Sequence, residues 1–183
     1  MSVIIPKAAR RYAKALLEVA LEQKKLETIY NDMSLVCNTI TSSKELDLFL
    51  KSPIIKQDKK HNALKEIFGK KIDEISNTFF EIIIRKGRED LIFGISNAFI
   101  EAYKKHQGII DVEVTSALDM SDKEIESLKK ALEKKTGKTV LLSSKVDSSL
   151  IGGITIKIDD TVTDGSVKHK LDNLEELFYN NAV

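Results

Sequence analysis

The stretch that decides the fold runs His106-Gln107-Gly108-Ile109-Ile110-Asp111-Val112-Glu113-Val114-Thr115-Ser116. On its C-terminal side Ile110, Val112 and Val114 alternate with Asp111, Glu113 and Thr115. That period of two predicts a half-buried strand. On its N-terminal side the apolar residues recur every three or four positions, as on one helix face. The switch falls at Gly108, a residue suited to ending a helix. Two regions are therefore expected, 1–106 helical and 107–183 mixed, an α+β chain overall.

Working upstream, Leu26, Ile29, Met33, Val36 and Ile40 trace one helix face. Leu64, Ile67 and Phe68 trace another, with Asp58 as the candidate N-cap, and Leu91, Ile95, Ala98 and Ala102 mark a third. Breaks at Thr41-Ser42-Ser43, Ser52-Pro53, Gly69 and Lys86-Gly87 divide the region into about six helices, the pattern of a helical bundle. Downstream, Ser121-Asp122-Lys123-Glu124 is a capping box before a helix with Ile125, Leu128 and Leu132 on one face. Val140 and Leu142 predict a second strand, and Ile154, Ile156 and Ile158 a third. Asp164-Gly165-Ser166 opens a last helix carrying Val167, Leu171, Leu174 and Phe178. The predicted order is strand, helix, strand, strand, helix, a small α+β module.

Composition narrows the function. The 183 residues are long enough for a substantial core, and 42% apolar with 31% charged residues fits a globular chain. Lys and Arg total 29 against 28 Asp and Glu, so bulk attraction to nucleic acid or anionic lipid is not expected. The balance conceals an asymmetry. Residues 1–106 hold 19 basic and 14 acidic groups, net +5, and residues 107–183 hold 10 and 14, net −4. One cysteine, Cys37, excludes a disulfide framework and a Cys-rich zinc site. The start, Met1-Ser2-Val3-Ile4-Ile5-Pro6-Lys7, has no basic segment leading into a long apolar run, so no secretory signal is expected. The apolar run Phe79-Phe80-Glu81-Ile82-Ile83-Ile84 is too short to span a bilayer, and no membrane insertion is expected.

Motifs for chemistry are missing or incomplete. Gly137-Lys138-Thr139 resembles the end of a phosphate-binding loop, but Leu132 stands where that motif needs its first glycine, and a helix precedes it. A helix-ending glycine is the better reading. His61, His106 and His169 have no second ligand at metal-binding spacing in their own segments. Cys37 lies on an apolar stripe and reads as a buried, inert thiol. Glu175-Glu176 and Asp159-Asp160 are adjacent, so their side chains diverge and make poor acid/base dyads. The lysines at 56, 59, 60, 65, 70 and 71 read as solvated helix faces, since Phe68 alone supplies an aromatic nearby. Gly152-Gly153 leads into a strand and reads as a tight bend or a close backbone approach. No catalytic residue, cofactor or metal is expected.

The informative signal is the width of two apolar arcs. In the first helix Ala8, Ala9, Tyr12, Ala13, Ala15, Leu16, Leu17, Val19 and Ala20 cover about 200° at 100° per residue. In the fifth helix Ile72, Ile75, Phe79, Phe80, Ile82, Ile83 and Ile84 cover a similar width. A surface helix needs roughly half of that for its own core. Either other helices of the chain cover the surplus, or it lines a groove for an amphipathic helix from a partner. The edges suited to such a groove are Ala8, Tyr12, Ala15 and Val19 on the first helix and Ile75, Phe79 and Ile82 on the fifth.

Six short motifs carry a family resemblance. They are Ala9-Arg10-Arg11-Tyr12-Ala13-Lys14-Ala15-Leu16, Phe49-Leu50-Lys51-Ser52-Pro53-Ile54-Ile55, Lys86-Gly87-Arg88, Val114-Thr115-Ser116-Ala117, Leu150-Ile151-Gly152-Gly153 and Asp164-Gly165-Ser166-Val167. In this order and spacing the chain resembles the delta subunit of bacterial F-type ATP synthase, the relative of the mitochondrial oligomycin-sensitivity-conferring protein. Lys86 departs from the family's usual asparagine before Gly87-Arg88. The resemblance implies a six-helix N-terminal bundle that docks on the F1 head and binds the N-terminal helix of an alpha subunit between its first and fifth helices. It implies a C-terminal module that meets the b-type peripheral-stalk subunits. The implied role is a non-catalytic stator, peripheral at the cytoplasmic face of the bacterial inner membrane. A generic helical adaptor accounts for the wide arcs but not for the ordered motifs. A nucleic-acid binder using 56–71 and an enzyme have weaker support still.

Overall fold

The computed structural model describes residues 5–158 and 161–181, with side chains described up to residue 177. Met1 to Ile4, the Asp159-Asp160 pair and the Phe178 side chain therefore lie outside the described residues. The chain divides into two compact units, Met1–His106 and Gln107–Val183. The fold is α+β.

In the first unit the helices are α1 (Lys7–Glu22), α2 (Leu26–Ser42), α3 (Lys44–Lys51), α4 (Gln57–Phe68), α5 (Glu74–Arg85) and α6 (Ile92–His106), with a 3-10 turn at Glu89–Leu91. They share one core in which Leu16, Ile29, Met33, Val36, Phe68, Ile83, Ile92, Ile95 and Phe99 are fully enclosed. α6 is the central packing partner of α1 and α2. Small residues let α1 approach it closely. Ala9, Ala13 and Ala20 are buried, and Gly94 of α6 has room for no more than a methyl group beneath Ala9 and Pro6. The position before α4 is Lys56, so Asp58 sits inside the first turn, where a carboxylate favours the positive end of the helix dipole. Ile72 precedes α5 and is buried, and Asp73 caps that helix by accepting the Ile75 N–H at 3.0 Å.

Two buried polar arrangements cross-link these helices. Asp32 Oδ2 accepts the Ser76 hydroxyl at 2.6 Å and the Asp73 N–H at 2.9 Å, joining α2 to the start of α5. Lys60 Nζ donates to Glu89 Oε1 and to the Leu50 carbonyl, each at 2.7 Å. Lys60 is therefore not a solvated member of the basic run. It is only 2% exposed, because its ammonium bridges the end of α3 to the 3-10 turn.

In the second unit the elements are β1 (Ile109–Ser116), α7 (Asp122–Thr136), β2 (Thr139–Val146), a 3-10 turn at Ser148–Leu150, β3 (Ile154–Ile158), β4 (Thr161–Asp164) and α8 (Val167–Asn181). The sheet order is β2-β1-β3-β4. β1 and β2 are parallel, joined through α7, and β1–β3 and β3–β4 are antiparallel. The register sets Val112 opposite Leu142 and Ile158, and Val114 opposite Ile156, so one sheet face is apolar. That face shares a core with Leu128 and Leu132 of α7. β4 is a strand that the apolar pattern does not announce: its residues are all exposed and Val162 is its one large apolar side chain.

Capping follows the sequence closely. Ser121 and Glu124 form a reciprocal capping box on α7, and Gly137 ends that helix at φ 67°, its N–H on the Glu133 carbonyl at 2.8 Å. Asp164 accepts the Ser166 N–H, and Ser166 Oγ accepts the His169 N–H at 3.1 Å, which starts α8. A side chain at Gly153 (φ +80°) would meet the Gly165 carbonyl oxygen at 2.5 Å, so the glycine there is a close backbone approach.

Candidate functional site

The two wide arcs are only partly used by the chain itself. On α1, Ala9, Ala13, Leu16 and Ala20 face the core, while Ala15 is exposed and Val19 is 40% exposed. On α5, Ser76, Phe80, Ile83 and Ile84 face the core, while Ile75 and Phe79 are half-buried and Ile82 is 48% exposed. α1 packs chiefly on α6 and α5 chiefly on α4, and an open groove of about 530 Å³ runs between α1 and α5.

Ala15, Val19, Ile75, Phe79 and Ile82 line this groove together. Ala8 and Tyr12 do not. Both are half-buried on the N-terminal half of α1, and the Tyr12 ring packs on the helical core. Leu16 contributes to the lining although it is buried in the core. Gln23, Lys25, Glu74 and Thr78 also line the groove, beyond what the apolar arcs predict. Their polar character hides them from an apolar-arc reading, although Lys25 follows the end of α1 and Glu74 begins α5, the two helices that form the walls. Lys25 Nζ pairs with Asp73 Oδ2 at 2.8 Å, and that hydrogen bond holds the Asp73 carboxyl below its ordinary range.

The chemistry of the groove is adhesive. An apolar floor with a small residue at Ala15 and a charged rim fits an amphipathic helix that presents its apolar face. Its lining includes no cysteine or histidine. Cys37 lies elsewhere, half-buried, donating to Asn97 Oδ1 at 3.4 Å, with burial pushing its thiol pKa up. His61 Nε2 lies 3.5 Å from Glu81 Oε1, between α4 and α5. Among the described residues no group of three or more His, Cys, Asp or Glu side chains is placed to hold a metal, and no helix is long and apolar enough to cross a membrane.

Comparison with known proteins places the chain in context. A family model described as ATP synthase delta (OSCP) subunit matches residues 8–178. The chain is 40% identical over 167 residues to the ATP synthase subunit delta of Chlorobaculum tepidum, spanning 91% of this chain and 92% of that one. It is 40% identical over 176 residues to the same subunit of Chlorobium phaeovibrioides, 96% of each chain, and 35% identical over 167 residues to that of Salinibacter ruber, 91% and 88%. In fold it is similar to a chain of the Toxoplasma gondii mitochondrial ATP synthase hexamer, with TM-score 0.72, 25% identity, and 95% of this chain and 98% of that one covered.

Proposed function

The chain belongs to the ATP synthase delta (OSCP) subunit family, a non-catalytic peripheral-stalk subunit of F-type ATP synthase, and from that premise we propose how its two units divide the work. The unit 1–106 is read as a six-helix bundle that sits on the alpha/beta head. Its groove between α1 and α5 takes the amphipathic N-terminal helix of an alpha subunit. The unit 107–183 meets the b-type stalk subunits. The protein is peripheral, on the cytoplasmic face of the bacterial inner membrane.

The observation that carries this reading is the open groove in which Val19 and Ile82, from different helices, remain exposed. Water-exposed apolar surface of this kind is stabilised when a partner covers it, at about 25 cal/mol per Å² of area removed from water. A stator must resist the torque of the rotor, so its joints need strong, non-covalent holding. A nanomolar joint corresponds to about 12 kcal/mol, which a few well-buried apolar anchors largely supply. The head is thereby kept from turning with the rotor, and proton-driven rotation is coupled to ATP synthesis.

The test is affinity purification of the tagged protein from gently solubilised native membranes. The alpha, beta and b-type subunits should co-purify in fixed proportion. Recovery of an unrelated helical partner without them would instead favour a general adaptor.

A further inference from the structure

The groove between α1 and α5 has two unlike ends. Lys25, just after α1, pairs with Asp73, the N-cap of α5, at 2.8 Å. The C-terminus of α1 therefore lies beside the N-terminus of α5, and the two walls run antiparallel. At this end Lys25 is neutralised by Asp73. Glu74 also lines the groove, is exposed, and forms no ion pair among the described residues. Glu22, Lys24, Lys70 and Lys71 are near this end in sequence, but none of them lines the groove.

The opposite end is cationic on both walls. Arg11 stands four residues before Ala15 on α1. On α5, Arg85 and Lys86 stand three and four residues after Ile82. These are the spacings of neighbours one turn apart on a helix. Lys86 follows the last residue of α5 but keeps a right-handed backbone, φ −85° and ψ 0°, so its side chain continues the helix face. Arg11, Arg85 and Lys86 are exposed, and none forms an ion pair among the described residues. The other charges nearby are already engaged or lie aside. Lys14 is offset by Glu18 at 4.0 Å, and Glu81 faces His61 of α4, in a small cavity that Asp58 and Arg85 also line.

We infer that Arg11, Arg85 and Lys86 fix the direction of the helix in the groove, holding its acidic N-terminal turn at their end and its C-terminal turn beside Glu74. The inference rests on the reading that this groove takes the N-terminal helix of an alpha subunit. An apolar floor holds an amphipathic helix equally well in either direction, so direction has to come from the charges at the ends. Helices favour carboxylates in their first turn and cations in their last. Only one direction sets such a helix against opposite charge at both ends. The bound helix then runs parallel to α1 and antiparallel to α5. Full side-chain charges decide this against the helix dipole, whose ends carry only about half a charge each.

The test uses the full-length protein, isotope-labelled for NMR, and a synthetic peptide of the host alpha subunit's N-terminal segment with a nitroxide at its first or its last residue. The first label should broaden the Arg11 and Lys86 amides and spare those of Gln23 and Glu74, and the last label should do the reverse. In calorimetric titrations, Arg85→Gln with Lys86→Gln should bind the unlabelled peptide about tenfold more weakly at low salt, with the difference closing at high salt. The opposite broadening pattern would overturn the assigned direction. Unchanged affinity of the folded double variant at low salt would overturn the role of the two cations. Broadening confined to residues outside the groove, or no binding by the wild type, would remove the groove reading itself.

Discussion

Lys25 Nζ and Asp73 Oδ2 stand 2.8 Å apart, and their ion pair ties the connection after α1 to the N-cap of α5. The two helices that wall the groove are thus linked at its edge, where Lys25 is part of the lining. Asp73 also donates its N–H to Asp32, so the cap is fixed from both sides. The groove keeps its width through this small polar cluster as well as through the core below.

This pair has a definite pH dependence. The hydrogen bond from Lys25 lowers the Asp73 pKa from the ordinary 3.8. A carboxylate whose folded pKa lies below its unfolded one stabilises the fold fully above the unfolded value and loses that contribution as pH falls through the folded one. Lys25 is 46% exposed, so solvent screening keeps the effect below about 1 kcal/mol. The thermal midpoint of Lys25→Met should lie slightly below wild type at neutral pH, and the gap should close as pH drops below 3.8. A gap that persists in acid would assign the effect to packing by the lysine stem.

Ile82 and Ile83 are neighbours in sequence with opposite environments, 48% and 0% exposed. Ile82→Asp should change unfolding free energy by less than about 0.5 kcal/mol. Ile83→Asp places an unpaired carboxyl in the core and should cost several kcal/mol, about 3 or more, enough to unfold the helical unit. Circular dichroism during urea denaturation distinguishes them, and equal losses in the two variants would mean that α5 is rotated so that Ile82 also faces inward.

The buried Lys60–Glu89 pair should behave asymmetrically. Glu89→Ala strands the Lys60 ammonium, which retains only the Leu50 carbonyl, and should cost about 3–5 kcal/mol. Replacing both, as Lys60→Met with Glu89→Leu, should recover most of that loss, because an apolar pair needs no desolvation of charge. Glu89 Oε2 has no partner among the described residues, which adds to the cost of burying this carboxylate. Chemical denaturation of the two single variants and the double variant measures the coupling.

Gly137 and Gly153 of the second unit share positive φ but differ in surroundings. A Cβ at Gly137 would meet nothing within 4 Å, whereas one at Gly153 would lie 2.5 Å from the Gly165 carbonyl oxygen. Gly137→Ala should cost only the left-handed backbone penalty of about 1 kcal/mol. Gly153→Ala adds displacement of backbone beside α8 and should cost clearly more. Similar losses in both, read from thermal unfolding, would show that the Gly153 approach is relaxed in solution.

Much of this was legible from local pattern. The period switch at Gly108, the Ser121–Glu124 capping box and the Asp164–Ser166 helix start depend on neighbours in sequence, and each has its counterpart in the structure. β4 was not legible, because an edge strand without an alternating apolar face carries no period. The burial of Lys60 was not legible either: its partner Glu89 is distant in sequence, and a lysine within a basic run reads as solvated. The arcs on α1 and α5 showed that apolar surface exceeded the need of a surface helix. They did not show which part α6 covers, so the lining includes Ala15 and Val19 but not Ala8 and Tyr12. The polar groove residues Gln23 and Thr78 left no apolar signal at all.

The central claim is that the groove between α1 and α5 holds the N-terminal helix of an alpha subunit. It is tested most directly by calorimetric titration of that peptide into the wild type, Ile82→Asp and Ala15→Lys, each first verified as folded by circular dichroism. Wild type should bind, and each variant should lose about 2 kcal/mol or more, a drop of roughly thirtyfold in affinity. Folded variants that bind the peptide as tightly as wild type would contradict the claim.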